Sequence, residues 1–70
     1  MNLLIICDFG NGPQTLIKTG ADELHVDEFR KLMEGKPEVV ARITCRLTLG
    51  GPDRERLVRA GAIRAIEIEQ

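Results

Sequence analysis

The sequence predicts a small α+β domain with two layers: a mostly antiparallel sheet of 4–5 strands, and one main helix packed on one face of it. Three observations predict this fold. An apolar run opens the chain while apolar and polar residues alternate in its middle and near its end, helical spacing is clear only over residues 22–34, and the element order reads β-β-α-β-(short α)-β. Seventy residues correspond to a single domain, 1–70.

Residues 3–9 form the first predicted strand. The side chains on both of its sides begin apolar, with Leu3 and Ile5 on one side and Leu4 and Ile6 on the other. A strand that is apolar on both sides is usually covered on both sides. Because one helix covers only one sheet face, we expect a second chain to cover the other.

Residues 10–13 predict a turn, since Asn-Gly between two apolar runs is a strong hairpin signal. Pro13 pushes the residue before it toward extended geometry, so a four-residue loop is favoured over a two-residue turn. Asp8 interrupts the apolar run just before this loop, and it marks the strand end or pairs with an arginine. The return strand is predicted over residues 14–19.

Residues 22–34 predict the main helix, in which Asp22 or Asp27 caps the start. Gly35 is the expected left-handed stop residue. The alternative is that residues 23–26 extend the second strand past a bulge at Gly20. The predicted apolar stripe of the helix consists of Val26, Phe29, Leu32 and Met33.

Residues 39–49 carry the clearest period-two pattern in the chain and predict one long strand with a single buried face. The inward set is Val39, Ala41, Ile43, Cys45, Leu47 and Leu49. The outward set is Val40, Arg42, Thr44, Arg46 and Thr48.

Residues 52–60 predict a short helix, because a proline precedes acids in the first turn and Gly61 follows. The adjacent pair Leu57-Val58 does not alternate, which favours helix over strand. The competing interpretation is a turn followed by a short return strand. Residues 62–69 then predict the last strand, and whether the last two strands pair parallel or antiparallel stays open.

Composition argues against several classes of protein. The chain is 43% apolar and 30% charged with a net charge of −1, so it has no overall field that selects nucleic acid or membrane. No apolar run approaches the ~20 residues that span a bilayer. The first eight residues carry no basic segment, so we expect no signal peptide. Cys7 and Cys45 are expected to be free, buried thiols, although a disulfide between them is the alternative, and the predicted location is cytoplasmic.

The sequence predicts no catalytic, cofactor-binding or metal-binding residue, and hence no enzyme. His25 is the only histidine and has no motif partner, which favours a surface helical residue. The spacings of Cys7, His25 and Cys45 match no structural zinc site. The glycine-containing loop 10–13 leads into a strand, whereas a phosphate loop leads into a helix.

Arginine is the main functional hint, because six arginines and only two acids lie within residues 42–64. An arginine-bearing sheet face is a plausible contact for phosphates or for a partner protein. The lack of tyrosine and tryptophan weakens the case for stacking on single strands. The candidate contact residues are Arg42, Arg46, Arg54, Arg56, Arg59 and Arg64.

These observations predict a non-enzymatic interaction module that forms a homo-oligomer, most simply a dimer. The short length, the doubly apolar first strand and the outward Val40 all favour self-association. A membrane partner is not expected. The alternative, which we favour less, is a small nucleic-acid-binding regulator that uses Arg42, Arg46, Arg54, Arg56 and Arg59.

Overall fold

The computed structural model describes all 70 residues, as five strands and one α-helix. The strands form two antiparallel sheets, with orders β2-β1-β5 and β3-β4. This confirms a small α+β fold, whereas the single predicted sheet is wrong. A short 3₁₀ helix, Ala60–Ala62, connects the last two strands. The elements are β1 Asn2–Asp8, β2 Pro13–Lys18, α1 Glu23–Glu34, β3 Val40–Cys45, β4 Arg54–Arg59 and β5 Ile63–Glu69.

The two sheets meet at one point. Ile17 of β2 and Arg46 exchange both backbone hydrogen bonds, each with an N–O distance of 2.8 Å. Beyond Arg46 the chain turns, so the pairing does not continue. The end of β3 therefore lies against β2, and both sheets contribute to one core.

The core lies between the sheets and α1. Strand β1 contributes three fully buried side chains to this core, Leu3, Ile5 and Cys7. Leu4 and Ile6, on the opposite side of β1, are half-buried. The main buried cluster consists of Leu3, Ile5, Cys7, Leu16, Ala21, Val26, Phe29, Ile43, Cys45, Val58 and Ile63.

The β1–β2 hairpin has a four-residue loop, as predicted, but the loop lies one residue earlier than the predicted residues 10–13. Asp8 pairs with Pro13, and residues 9–12 form the connection. Gly10 and Gly12 have φ values of 103° and 92°, which side chains other than glycine rarely adopt. The Gly10 N–H donates to Asp8 Oδ1 at 2.8 Å, so Asp8 stabilises the turn.

Helix α1 begins where predicted, with Asp22 as its N-cap. The His25 N–H donates to Asp22 Oδ1, and the Asp22 N–H donates to His25 Nδ1, both at 3.1 Å. This reciprocal pair satisfies two backbone donors at the helix start, and it rules out the extension of β2 through residues 23–26. The left-handed stop at Gly35 is wrong, because Gly35 has a φ of −88°.

The strand predicted over residues 39–49 is longer than the observed strand β3, mainly at its C-terminal end. Strand β3 stops at Cys45, and Leu47 and Leu49 are more than half exposed. The Gly51 N–H donates to Thr48 O at 3.0 Å, which closes a turn. The apolar alternation of the sequence continues across this turn, so the pattern alone extends the strand too far. Val39, at the other end, is also exposed and lies outside β3.

The predicted short helix over residues 52–60 is wrong, because residues 54–59 form strand β4. This strand pairs antiparallel with β3, so that Ala41 lies opposite Val58 and Cys45 opposite Arg54. Backbone pairing with β3 outweighs the helix-start pattern around Pro52. The predicted strands over residues 39–49 and 62–69, whose relative direction was left open, do not pair with each other, since β3 pairs with β4 and β5 pairs antiparallel with β1.

Candidate interaction surface

The six candidate arginines do not lie on one face of the molecule. Arg42 and Arg59 lie on the outer side of the β3–β4 pair, whereas Arg54 and Arg56 share the inner side with Val58. Arg46 lies at the bridge to β2, and Arg64 lies at a bulge in β5. That they contact a partner or nucleic acid stays a prediction.

Arg46 has a structural role. Its Nε and NH2 groups donate to the two carboxylate oxygens of Asp53 at 2.8 and 3.0 Å, and its NH1 donates to Leu49 O at 2.9 Å. The hydrogen bonds from Arg46 lower the pKa of Asp53, and the same pairing raises the pKa of Arg46. These contacts hold the turn between β3 and β4.

Two further arginines also have partners within the chain. Arg42 Nε lies 3.4 Å from Glu55 Oε1 on the outer side of the β3–β4 pair. Arg64 NH1 donates to Gly61 O at 2.8 Å. The remaining arginines, which make no ion pair, are the three of β4: Arg54, Arg56 and Arg59.

Arg56 lies on the inner side of β4 and is partly buried. Its Nε is buried and has no hydrogen-bond partner. Burial raises the pKa of the Cys45 thiol, and the nearby Arg56 guanidinium opposes this effect. Burial also raises the pKa of Cys7, with the neighbouring Cys45 adding to it and Arg64 opposing. Both cysteines are free and buried, so they are protonated thiols at neutral pH and poor nucleophiles.

A recess of about 310 Å³ opens beside Arg56. Three of its lining residues are large, apolar and at least half exposed: Phe9 (50%), Leu47 (51%) and Leu57 (69%). Aromatic and arginine side chains together with buried apolar contacts are typical of protein–protein interfaces. The full lining is Phe9, Gln14, Leu16, Leu47, Arg56, Leu57 and Val58. We call this surface the Arg56 recess.

Sequence reasoning missed the Arg56 recess, because its members come from three separate segments. Phe9 lies in the hairpin loop, Leu47 follows β3, and Leu57 lies in the strand that was predicted as a helix. The signal that was available is the pair Leu57-Val58. Two adjacent large apolar residues in a strand must point to opposite sides, so one of them is left outside the core.

Strand β4 also has an unpaired edge, since it pairs only with β3. The Ala60 N–H donates to Val39 O at 2.7 Å, which extends the β3–β4 ladder by one residue. The backbone groups of successive residues in a strand point to opposite edges. The backbone N–H and C=O of Val58 therefore also bond toward β3, whereas those of Leu57 point to the free edge. The residues whose backbone groups point to the free edge are Glu55, Leu57 and Arg59.

The rest of the surface holds a further recess but no cluster of metal-binding side chains. A second recess, of about 420 Å³, lies between α1 and Val39 and is lined by Glu28 together with Lys31 and Lys36. No three His, Cys, Asp or Glu side chains come close enough to hold a metal ion. The single α-helix is too short to cross a bilayer.

Comparison with known proteins found no match to this chain among protein-family models, curated protein sequences or solved structures.

Proposed function

We propose that this chain is a non-enzymatic interaction module that forms a homodimer. The observation that carries the proposal is the Arg56 recess, where three large apolar side chains that are at least half exposed lie beside an arginine without a carboxylate partner. Contiguous exposed apolar surface with a polar component marks an interaction site more often than scattered apolar residues do.

The size of the chain also supports self-association. A domain of about 60–70 residues buries only about 60% of the surface of its unfolded chain and gains stability from a partner. The folded chain exposes 4660 Å². A standard interface takes about 800 Å² from each partner, which is roughly a sixth of that surface.

Light scattering coupled to size-exclusion chromatography, over a range of micromolar concentrations, tests this proposal. We expect the wild-type chain to have twice the 7.8 kDa mass of one chain. Leu47→Asp should shift it to the monomer, because a charge in the recess opposes its desolvation. Leu24→Asp is the matched control, since Leu24 is 70% exposed and lies on α1 outside the recess. A wild-type chain that stays monomeric at every concentration would overturn the proposal.

Nucleic-acid binding is the second candidate. The observation that favours it is the set of unpaired arginines on β4: Arg54, Arg56 and Arg59. Fluorescence anisotropy with mixed-sequence duplex DNA and RNA tests it. Phosphate contacts predict an affinity that falls steeply with salt concentration. No binding at low salt would eliminate this candidate.

A further inference from the structure

We infer that the homodimer forms by antiparallel pairing of β4 with β4 of a second copy, about a two-fold axis at Leu57. This inference rests on the proposed self-association and names its surface. A free strand edge presents unpaired N–H and C=O groups that serve as a template for another strand. In β4 these groups belong to Glu55, Leu57 and Arg59, and no group in the chain bonds to them.

The register follows from which groups reach the edge. In an antiparallel pair, residues that point to the shared edge must lie opposite one another. With the axis at Leu57, each copy's Leu57 faces the partner's Leu57, and Glu55 faces the partner's Arg59. Every N–H and C=O group on the free edge of β4 then has a partner.

The two neighbouring registers are poorer. An axis at Arg56 would place the two Arg56 side chains opposite each other, and like charges directly opposite are destabilising. With an axis at Val58, Glu55 would lie opposite the partner's Gly61. Because β4 ends before Gly61, Glu55 would have no strand residue to pair with. Only the axis at Leu57 combines full backbone pairing with opposite charges on both sides.

Charge makes the β4 edge self-complementary. Edge strands usually carry charges that repel another copy. Here Glu55 precedes Leu57 by two residues and Arg59 follows it by two, so the two-fold axis brings unlike charges together twice. Since Glu55 already lies 3.4 Å from Arg42 Nε, its carboxylate would lie between two guanidinium groups.

The surrounding surface fits the same arrangement. Leu57 is 69% exposed in the single chain, and it lines the Arg56 recess together with Phe9 and Leu47. A second copy that pairs along β4 would cover Leu57 and extend the wall of the recess. Arg56 would lie across from the partner's Val58.

Strand β5 also forms a sheet edge, but it is less suited to two-fold pairing. An axis at Ile66 would place Glu67 opposite the partner's Ala65, with no charge pair. An axis at Glu67 would place two carboxylates opposite each other. Pairing through β5 is therefore one competing arrangement that the experiment must distinguish.

Charge reversal tests the inferred pairing by sedimentation equilibrium. Glu55→Arg and Arg59→Glu should each weaken the dimer at least tenfold, because each places like charges opposite one another. The double variant should restore most of the affinity. Both side chains are exposed, so circular dichroism should show an unchanged fold. Glu67→Arg, on β5, is the matched control and should have little effect.

The outcomes separate the two proposals. A monomeric wild-type chain would overturn both the self-association and this interface. A wild-type dimer that Glu55→Arg leaves intact, or that Glu67→Arg dissociates instead, would overturn the β4 pairing while self-association stands. Single variants that weaken the dimer without rescue in the double variant would also contradict the predicted register.

Cross-linking gives an independent readout. Hydrogen-bonded residues across an antiparallel pair have Cα atoms about 5.5 Å apart, a separation that a disulfide spans. Under mild oxidation Leu57→Cys should therefore form a covalent dimer, whereas the control Leu24→Cys should not. Failure of Leu57→Cys to cross-link in a chain that still dimerises would count against an axis at Leu57.

Discussion

Leu57 and Val58 are consecutive residues of β4, yet Val58 is 2% exposed and Leu57 is 69% exposed. Strand geometry causes this contrast, because successive side chains point to opposite sides. Val58 packs into the core opposite Ala41, and Leu57 lies on the outer side opposite Arg42. One residue therefore contributes to the fold, and its neighbour is available to a partner.

Truncating the two residues should have separable effects. Val58→Ala should lower the free energy of unfolding by roughly 1.5–3 kcal/mol, from lost apolar burial plus a cavity. Leu57→Ala should change the stability of the monomer by less than about 0.5 kcal/mol while weakening the dimer. Urea unfolding, at protein concentrations low enough for the chain to be monomeric, measures the loss of stability in Val58→Ala. Sedimentation equilibrium measures the weakening of the dimer in Leu57→Ala. Equal losses of monomer stability would contradict the assignment of Leu57 to the interface.

Removing the charge of Arg56 should stabilise the monomer. The buried Nε has no hydrogen-bond partner, and an unsatisfied buried polar group is unfavourable by about 1–3 kcal/mol. Because the rest of Arg56 is partly exposed, we expect Arg56→Met to gain about 1 kcal/mol at most. Arg54→Met, at an exposed position on the same side of β4, is the control and should be neutral. A loss of stability in Arg56→Met would indicate a favourable interaction of this guanidinium.

Stability should fall at alkaline pH. Burial raises the pKa of both cysteine thiols above its ordinary value, so at alkaline pH the unfolded chain releases protons that the folded chain retains. The thiols thus contribute stability that is complete below the unfolded pKa and is lost as the pH rises through the folded pKa. Urea unfolding on both sides of pH 9 measures the decline, and Cys7→Ala should make it shallower. An unchanged slope in that variant would contradict a buried Cys7 thiol.

The cap of α1 gives a test of local structure. Asp22→Ala should lower the free energy of unfolding by about 1 kcal/mol, because it removes the acceptor for the His25 N–H. The matched control is Asp27→Ala, which removes only an exposed contact to Arg30 at 3.6 Å. That contact should matter by less than about 0.5 kcal/mol. Thermal unfolding followed by circular dichroism compares the two, and an equal effect would argue against the cap.

Local signals predicted much of the fold. The hairpin loop follows from Gly10, Gly12 and Pro13, and the helix start follows from Asp22, because each depends on the conformation of a few adjacent residues. The end of β3 was not predictable, since Leu47 and Leu49 continue the alternation while Arg46 turns the chain through contacts with Asp53 and Leu49 O.

The candidate surface was harder to predict than the fold. Residues 54–59 carry helix-start features and a pair of adjacent apolar residues, so their strand conformation depends on pairing with β3. Once they are placed in a strand, the sides on which Arg54, Arg56 and Arg59 lie follow directly. That β4 has a free edge depends on the order of strands in the sheet, which no local pattern of residues encodes.

Amide hydrogen exchange at low and high protein concentration tests the β4 pairing most directly. In the monomer, Arg56 and Val58 bond toward β3 and should be protected, whereas Glu55, Leu57 and Arg59 should exchange rapidly. At high concentration we expect the second group to become protected as well, so that the alternation along β4 disappears. Rapid exchange of Glu55, Leu57 and Arg59 at every concentration would contradict a dimer that forms through this edge.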